Sequence, residues 1–215
     1  NIIDNLNAIK LTSSTTGFLA ADNGKIFSFI ISGGWIVTCT EVPTTVSVNL
    51  NDILVNGNAL MAVGDEGTIL FSNNITTTPL VRLNFNSTSD LHGVALRPGT
   101  VPAYTTVGEN STITLSFGGL VLQQKNVALP QIRSISFTDA NNGFILADRF
   151  NIRQTSDGGV NWTPIKPGAT INANYPVLNR ILATTAGKGI VVGNNRWYAD
   201  ISNNYTTQVT VGNFS

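Results

Sequence analysis

One strand-and-turn grammar recurs five times along the chain, and that repetition constrains the fold more than any other property of the sequence. Each copy opens on a short apolar stretch: LNAIKL (6–11), LNDILV (50–55), LHGVAL (91–96), IRSISF (132–137) and LNRILA (178–183). A second stretch follows a polar loop: GFLAADNGKI (17–26), ALMAVGDEGTI (59–69), AYTTVGENSTI (103–113), GFILADRFNI (143–152) and GIVVGNNRWY (189–198). A turn then closes each copy, as SGGW (32–35), SNNI (72–75), FGGL (117–120), DGGV (157–160) and SNNY (202–205). One aligned position, Ile26, Ile69, Ile113, Ile152 and Tyr198, sets the register, with intervals of 43, 44, 39 and 46 residues. The NG, DEG, GG and NN turn sequences supply the positive φ angles that hairpin turns need. Stretches such as FLAA and IVV are apolar on both sides, so a strand made from them must be covered on both sides.

A unit of roughly 40–45 residues with about four such strands is the pattern of a β-propeller blade, where each sheet is sandwiched by its neighbours. The expectation is therefore an all-β chain, a five-bladed β-propeller of four-stranded antiparallel blades. It fills a single domain, 1–215, with blades at about 1–46, 47–88, 89–129, 130–174 and 175–215. Two competitors are a segment of a larger propeller and an open β-solenoid, the second disfavoured because solenoid coils are usually shorter.

Composition narrows the function classes. Charged residues make up 11% of the chain, against about 25% in an average soluble domain. The formal net charge is +0 at pH 7, so there is no basic footprint for nucleic acid and no polybasic run for an anionic membrane. Cys39 is the single cysteine, which excludes an intrachain disulfide and reads as a buried small hydrophobe. With His92 the single histidine, no His/Cys cluster is available for zinc, and neither metal nor cofactor is expected. The longest apolar stretch, FSFIISGGWIVTC, is broken by Gly33 and Gly34 and is too short to span a bilayer. No signal peptide is visible, and the start at Asn1 rather than Met suggests a processed chain or a piece of a larger one. Asn-x-Ser/Thr sequons at Asn74, Asn86, Asn110, Asn161, Asn204 and Asn213 permit glycosylation without demonstrating it.

The fourth unit carries TSDGGVNW at 155–162. An aspartate in a tight turn accepts hydrogen bonds from backbone N–H groups just ahead of it, glycines take conformations a Cβ forbids, and a tryptophan covers the hairpin base. Asp157 therefore reads as structural. The spacing of Thr155, Asp157, Gly159 and Trp162 matches Ser/Thr-x-Asp-x-Gly-x-x-Trp, and residues 132–162 resemble a repeat of the BNR/Asp-box propellers, in particular the photosystem II stability/assembly factor-like group. That resemblance implies a propeller with this turn on the outer side of the blade. It does not imply one activity, because the repeat serves sialidases, other glycosidases, lectin-like modules, assembly chaperones and surface structural proteins.

Enzyme readings find little support. A glycosidase needs two carboxylates about 5–10 Å apart, and among the inner-strand residues only Asp52 is acidic. Sialidase-like chemistry calls for three converging arginines, and the inner strands carry Arg133 and Arg180 only. The polar inner-strand residues Asn7, Asn51, Asp52, His92, Arg133, Asn179 and Arg180 are candidates to line a mouth that binds sugar hydroxyls or a partner's carboxylates. The alternative reading is that they simply solvate a channel. Trp197 stands in a column of otherwise polar residues and is a candidate exposed aromatic contact. Trp35 reads as hairpin cover.

The expected function is a non-catalytic propeller acting as a structural or protein-interaction module of an extracellular, cell-surface or virion assembly, with protein partners or copies of itself. A lectin-like propeller is the first alternative and a glycoside hydrolase the second. Five equal sugar sites would repeat their contact residues, and the column Asn7, Asn51, His92, Arg133, Asn179 does not.

Overall fold

The computed structural model describes residues 3–34, 36–84, 87–99, 103–116, 121–129, 131–148, 151–167, 177–194, 197–202 and 205–210. Side chains are described at these positions except 36, 111–116, 121–122, 166–167, 197 and 205–210. Trp35 and the Trp197 side chain therefore lie outside the described set, as do Asn86, Asn204 and Asn213.

Every repeat forms one sheet, its strands in chain order outward from the first. The first sheet comprises β1 (Leu6–Leu11), β2 (Thr16–Ala21), β3 (Ile26–Ser32) and β4 (Ile36–Val42). The second comprises β5 (Leu50–Asn56), β6 (Ala59–Gly64), β7 (Ile69–Ser72) and β8 (Val81–Arg82). The third holds β9 (Leu91–Arg97), β10 (Ala103–Gly108), β11 (Ser111–Ser116) and β12 (Val121–Lys125). The fourth holds β13 (Ile132–Phe137), β14 (Gly143–Ala147), β15 (Asn151–Thr155) and β16 (Thr163–Pro164).

The last sheet departs from the expected five four-stranded blades. Four four-stranded blades are formed, not five. The final repeat builds β18 (Leu178–Thr185), β19 (Lys188–Gly193), β20 (Trp197–Ser202) and β21 (Tyr205–Thr210), and β17 (Lys166–Pro167) joins as a fifth strand at its outer edge. β17 runs parallel to β21, pairing Lys166 with Tyr205 and Pro167 with Thr206. Pro164 donates no ladder hydrogen bond; after one further bond, from the Ile165 N–H to the Ile152 carbonyl, the chain passes on to the outer edge of the last sheet.

The chain forms two compact units, Asn1–Val94 and Ala95–Ser215, with the break inside β9. In the first unit, Ala20 and Ile26 of the first sheet pack with Leu50, Ile53, Leu60, Ala62 and Leu70 of the second. In the second unit, β14 shows why its sequence is apolar on both sides. Phe144 and Leu146 join Ile181, Val191 and Ala199 of the last sheet, while Ile145 and Ala147 join Val107, Ile132, Ile135 and Trp162. Successive strand residues point to opposite faces, so a single strand feeds two cores. β6 and β10 are likewise buried along their whole length.

Cys39 corrects the sequence reading. It is exposed, because β4 is the outermost strand of its sheet and nothing described covers that position. No helix among the described residues is long and apolar enough to cross a membrane.

Candidate functional site

The polar inner-strand column sits on β-bulges. In four repeats the pairing of the first strand with the second slips by one residue, between Leu6 and Ala8, Leu50 and Asp52, Ile132 and Ser134, and Leu178 and Arg180. The skipped residues are Asn7, Asn51, Arg133 and Asn179. A bulge leaves one residue outside the ladder and re-aims its side chain.

In each case the side chain turns to the residue that follows the second strand. Asn7 donates to Asp22 at 2.9 Å and Asn51 to Asp65 at 2.8 Å. Arg133 pairs with Asp148 through Nε, and Asn179 donates to Asn194 at 2.7 Å. The backbone closes the same junction: the N–H groups of Asp22, Asp65, Asp148 and Asn194 donate to the carbonyls of Asn5, Asn49, Gln131 and Val177. Gly64 belongs to this close approach, since a Cβ there would collide with the Asn49 carbonyl.

Asparagine suits the column because its amide offers two N–H donors from one nitrogen. In the first unit, Asn7 Nδ2 also donates to the Leu50 carbonyl and Asn51 Nδ2 to the Leu91 carbonyl, each at 3.0 Å. Each amide thus ties its own sheet to the first strand of the next. The residue after the bulge does similar work. Asp52 accepts the Val94 N–H at 2.9 Å and the Ile53 N–H at 3.0 Å. Ser134 accepts the Ile181 N–H at 3.2 Å, and Ser136 accepts that of Ala183 at 3.0 Å. Arg180, exposed, reaches the Arg133 carbonyl at 3.5 Å, and His92 is half-buried on β9. Asn7, Asn51, Asp52, Arg133 and Asn179 are thus each spent on a strand junction as framework clamps. Their partners were missed in the sequence, although LAAD, AVGD, ILAD and VVGN (19–22, 62–65, 145–148 and 191–194) carry a regular signal.

The 155–162 turn is a second polar cluster. Thr155 Oγ1 donates to Asp157 at 2.8 Å and accepts the Gly159 N–H at 2.8 Å. Asp157 accepts the Asn161 N–H at 2.8 Å and the Asn161 side-chain amide at 2.7 Å. These donors, the Asn161 N–H foremost, hold the Asp157 carboxyl below the usual carboxylate range. Gly158 and Gly159 take φ of 71° and 89°, a region that a Cβ disfavours. Trp162 is nearly buried and meets Phe137 edge to face at 6.1 Å between centroids. Arg97 donates to the Gly158 carbonyl at 2.7 Å, so the turn is also fixed from the third sheet. In the neighbouring loop, Asp139 caps the N–H groups of Asn141 and Asn142, which holds its carboxyl low as well.

A third cluster lies on the first sheet. Asp4 and Lys25 form an ion pair at 2.7 Å, which lowers the carboxyl and raises the ammonium pKa. The pair borders a groove of about 620 Å³ that also takes in Phe27, Val37, Cys39 and Glu41. Among the described residues, no group of three or more His, Cys, Asp or Glu side chains is arranged to hold a metal.

Solved structures resemble the chain over nearly its whole length. One is described as YCF48 bound to D1 peptide: TM-score 0.67, 12% identity, covering 95% of this chain and 66% of that one. The fold is an all-β β-propeller of antiparallel four-stranded sheets. The second, described as the structure of U3-55K, matches with TM-score 0.62 and 9% identity over 97% of this chain and 82% of that one. This propeller chain thus spans slightly less than two thirds of the first structure's length. No family model matches it, and a search of the curated proteins finds no match.

Proposed function

We propose that this propeller is a non-catalytic protein-interaction module that holds an extended segment of a partner. The observation that carries the reading is the likeness, over 95% of the chain, to a structure that has a peptide bound. The engagement of the inner-strand polar groups supports it. Asp52 and Asp148 both accept hydrogen bonds that tie strands together, and a carboxylate so used is poorly placed for acid–base work. We read the 155–162 turn as a BNR/Asp-box turn that stiffens its blade. The charge-poor, Asn- and Thr-rich composition suits a surface or virion assembly.

The experiment is binding of the purified chain to a peptide array and a glycan array in parallel. Micromolar retention on a subset of peptides, with no glycan retained, is the expected result. Selective glycan binding without peptide binding would replace this reading with the lectin-like one.

A further inference from the structure

The outer strands differ in how far they leave an edge open. β8 and β16 are two residues long, β12 spans five, and the last sheet's outer strand β21 is covered by β17. β4 instead runs for seven residues, IVTCTEV. It pairs with β3 without a bulge from Ile26–Val42 to Ser32–Ile36, and residues 37–41 are all exposed. It contains no proline, and Glu41 is its one charge. Proteins normally blunt such an edge with prolines, bulges, charges or a covering segment. Among the described residues β4 has no strand on its outer side.

Alternate residues of a strand share a face. Val37, Cys39 and Glu41 therefore line up along the groove beside Phe27. Lys25 is already held by Asp4; the Glu41 side chain makes no hydrogen bond or ion pair among the described residues, and its charge adds to the field that raises the Lys25 pKa.

We propose that the outer edge of β4 is a strand-addition site for an extended peptide bearing two aliphatic residues and one Lys or Arg at alternate positions. The aliphatic pair lies beside Val37 and Cys39, and the basic residue lies beside Glu41. Backbone hydrogen bonds give affinity irrespective of side chains, and the groove with Glu41 gives selectivity. The molecule contains its own precedent in β17, an extended segment added to the outer strand of the last sheet. The proposal rests on the interaction-module reading and gives it an address.

The probe is a labelled, acetylated decapeptide with Val, Val and Lys at alternate positions separated by Thr. Its controls carry Glu in place of Lys, or N-methylated amides at the intervening residues. Fluorescence anisotropy is expected to show the Lys peptide binding about tenfold more tightly than the Glu peptide. Glu41→Lys, a change at an exposed position, is expected to reverse that order with an unaltered circular dichroism spectrum. Bound peptide should slow alkylation of Cys39, the chain's single thiol. Equal binding of Lys and Glu peptides, an order unmoved by Glu41→Lys, or full binding of the N-methylated peptide would overturn the site. Peptides retained on the array with Cys39 unprotected would remove this address and leave the interaction module standing. No peptide retained at all would remove both.

Discussion

Asp157 accepts hydrogen bonds from Thr155 and from two groups of Asn161, all within a turn of a few residues. Asp157→Ala is expected to lower Tm by about 3 °C. The pH dependence has a definite sign. A carboxyl held below its usual pKa in the folded state contributes stability that is complete above the ordinary carboxylate range and is lost as pH falls through the depressed value. Asp139 and Asp157 both behave this way. Melting temperatures of wild type should therefore fall as pH drops below about 4, and Asp157→Asn should flatten part of that fall. An identical pH profile in the variant would show that the carboxylate charge plays no part. Trp162 offers a separate test. It packs with Val107, Ile132, Ile135 and Phe137, and its indole N–H has no hydrogen-bond partner among the described residues. Trp162→Ala should cost about 3–5 kcal/mol in urea unfolding, whereas Trp162→Phe should cost less than about 1.5 kcal/mol.

At the scale of the element, the unit of construction is the bulged first strand clamped to the end of the second. Asn51→Ala removes donors to Asp65 and to the Leu91 carbonyl. Leaving part-buried acceptors without partners costs roughly 1–3 kcal/mol, so the urea midpoint should fall with the slope unchanged. A midpoint within error of wild type would show that water replaces the amide. The strands themselves were legible, because the β14 stretch FILA is apolar on both sides and feeds two cores. The clamps were half legible. The polar column and the aspartates both recur in the sequence, but a one-residue register slip leaves no compositional trace. Only the ladder shows that column and aspartate face each other. The exposure of Cys39 was not legible either, since a thiol reads the same on a covered strand and on an edge.

At the scale of the whole molecule, charge is the governing quantity. The formal net charge is +0 at pH 7 and the isoelectric point is ≈ 6.8. A molecule without net charge lacks the repulsion that keeps copies apart. Light scattering of concentrated protein should peak near neutral pH and fall at pH 5 and pH 9. A flat profile would show that apolar contacts, rather than missing repulsion, limit solubility.

The repeat length, the two-sided apolar strands and the turn dipeptides determined an all-β chain of stacked four-stranded units, because each is a local pattern read along one backbone. Tertiary structure decided the rest. It moved β17 onto the last sheet, set the bulges at Asn7, Asn51, Arg133 and Asn179, and left β4 exposed. Those outcomes depend on which strand lies beside which, and lateral pairing joins residues far apart in sequence, where local patterns exert no preference.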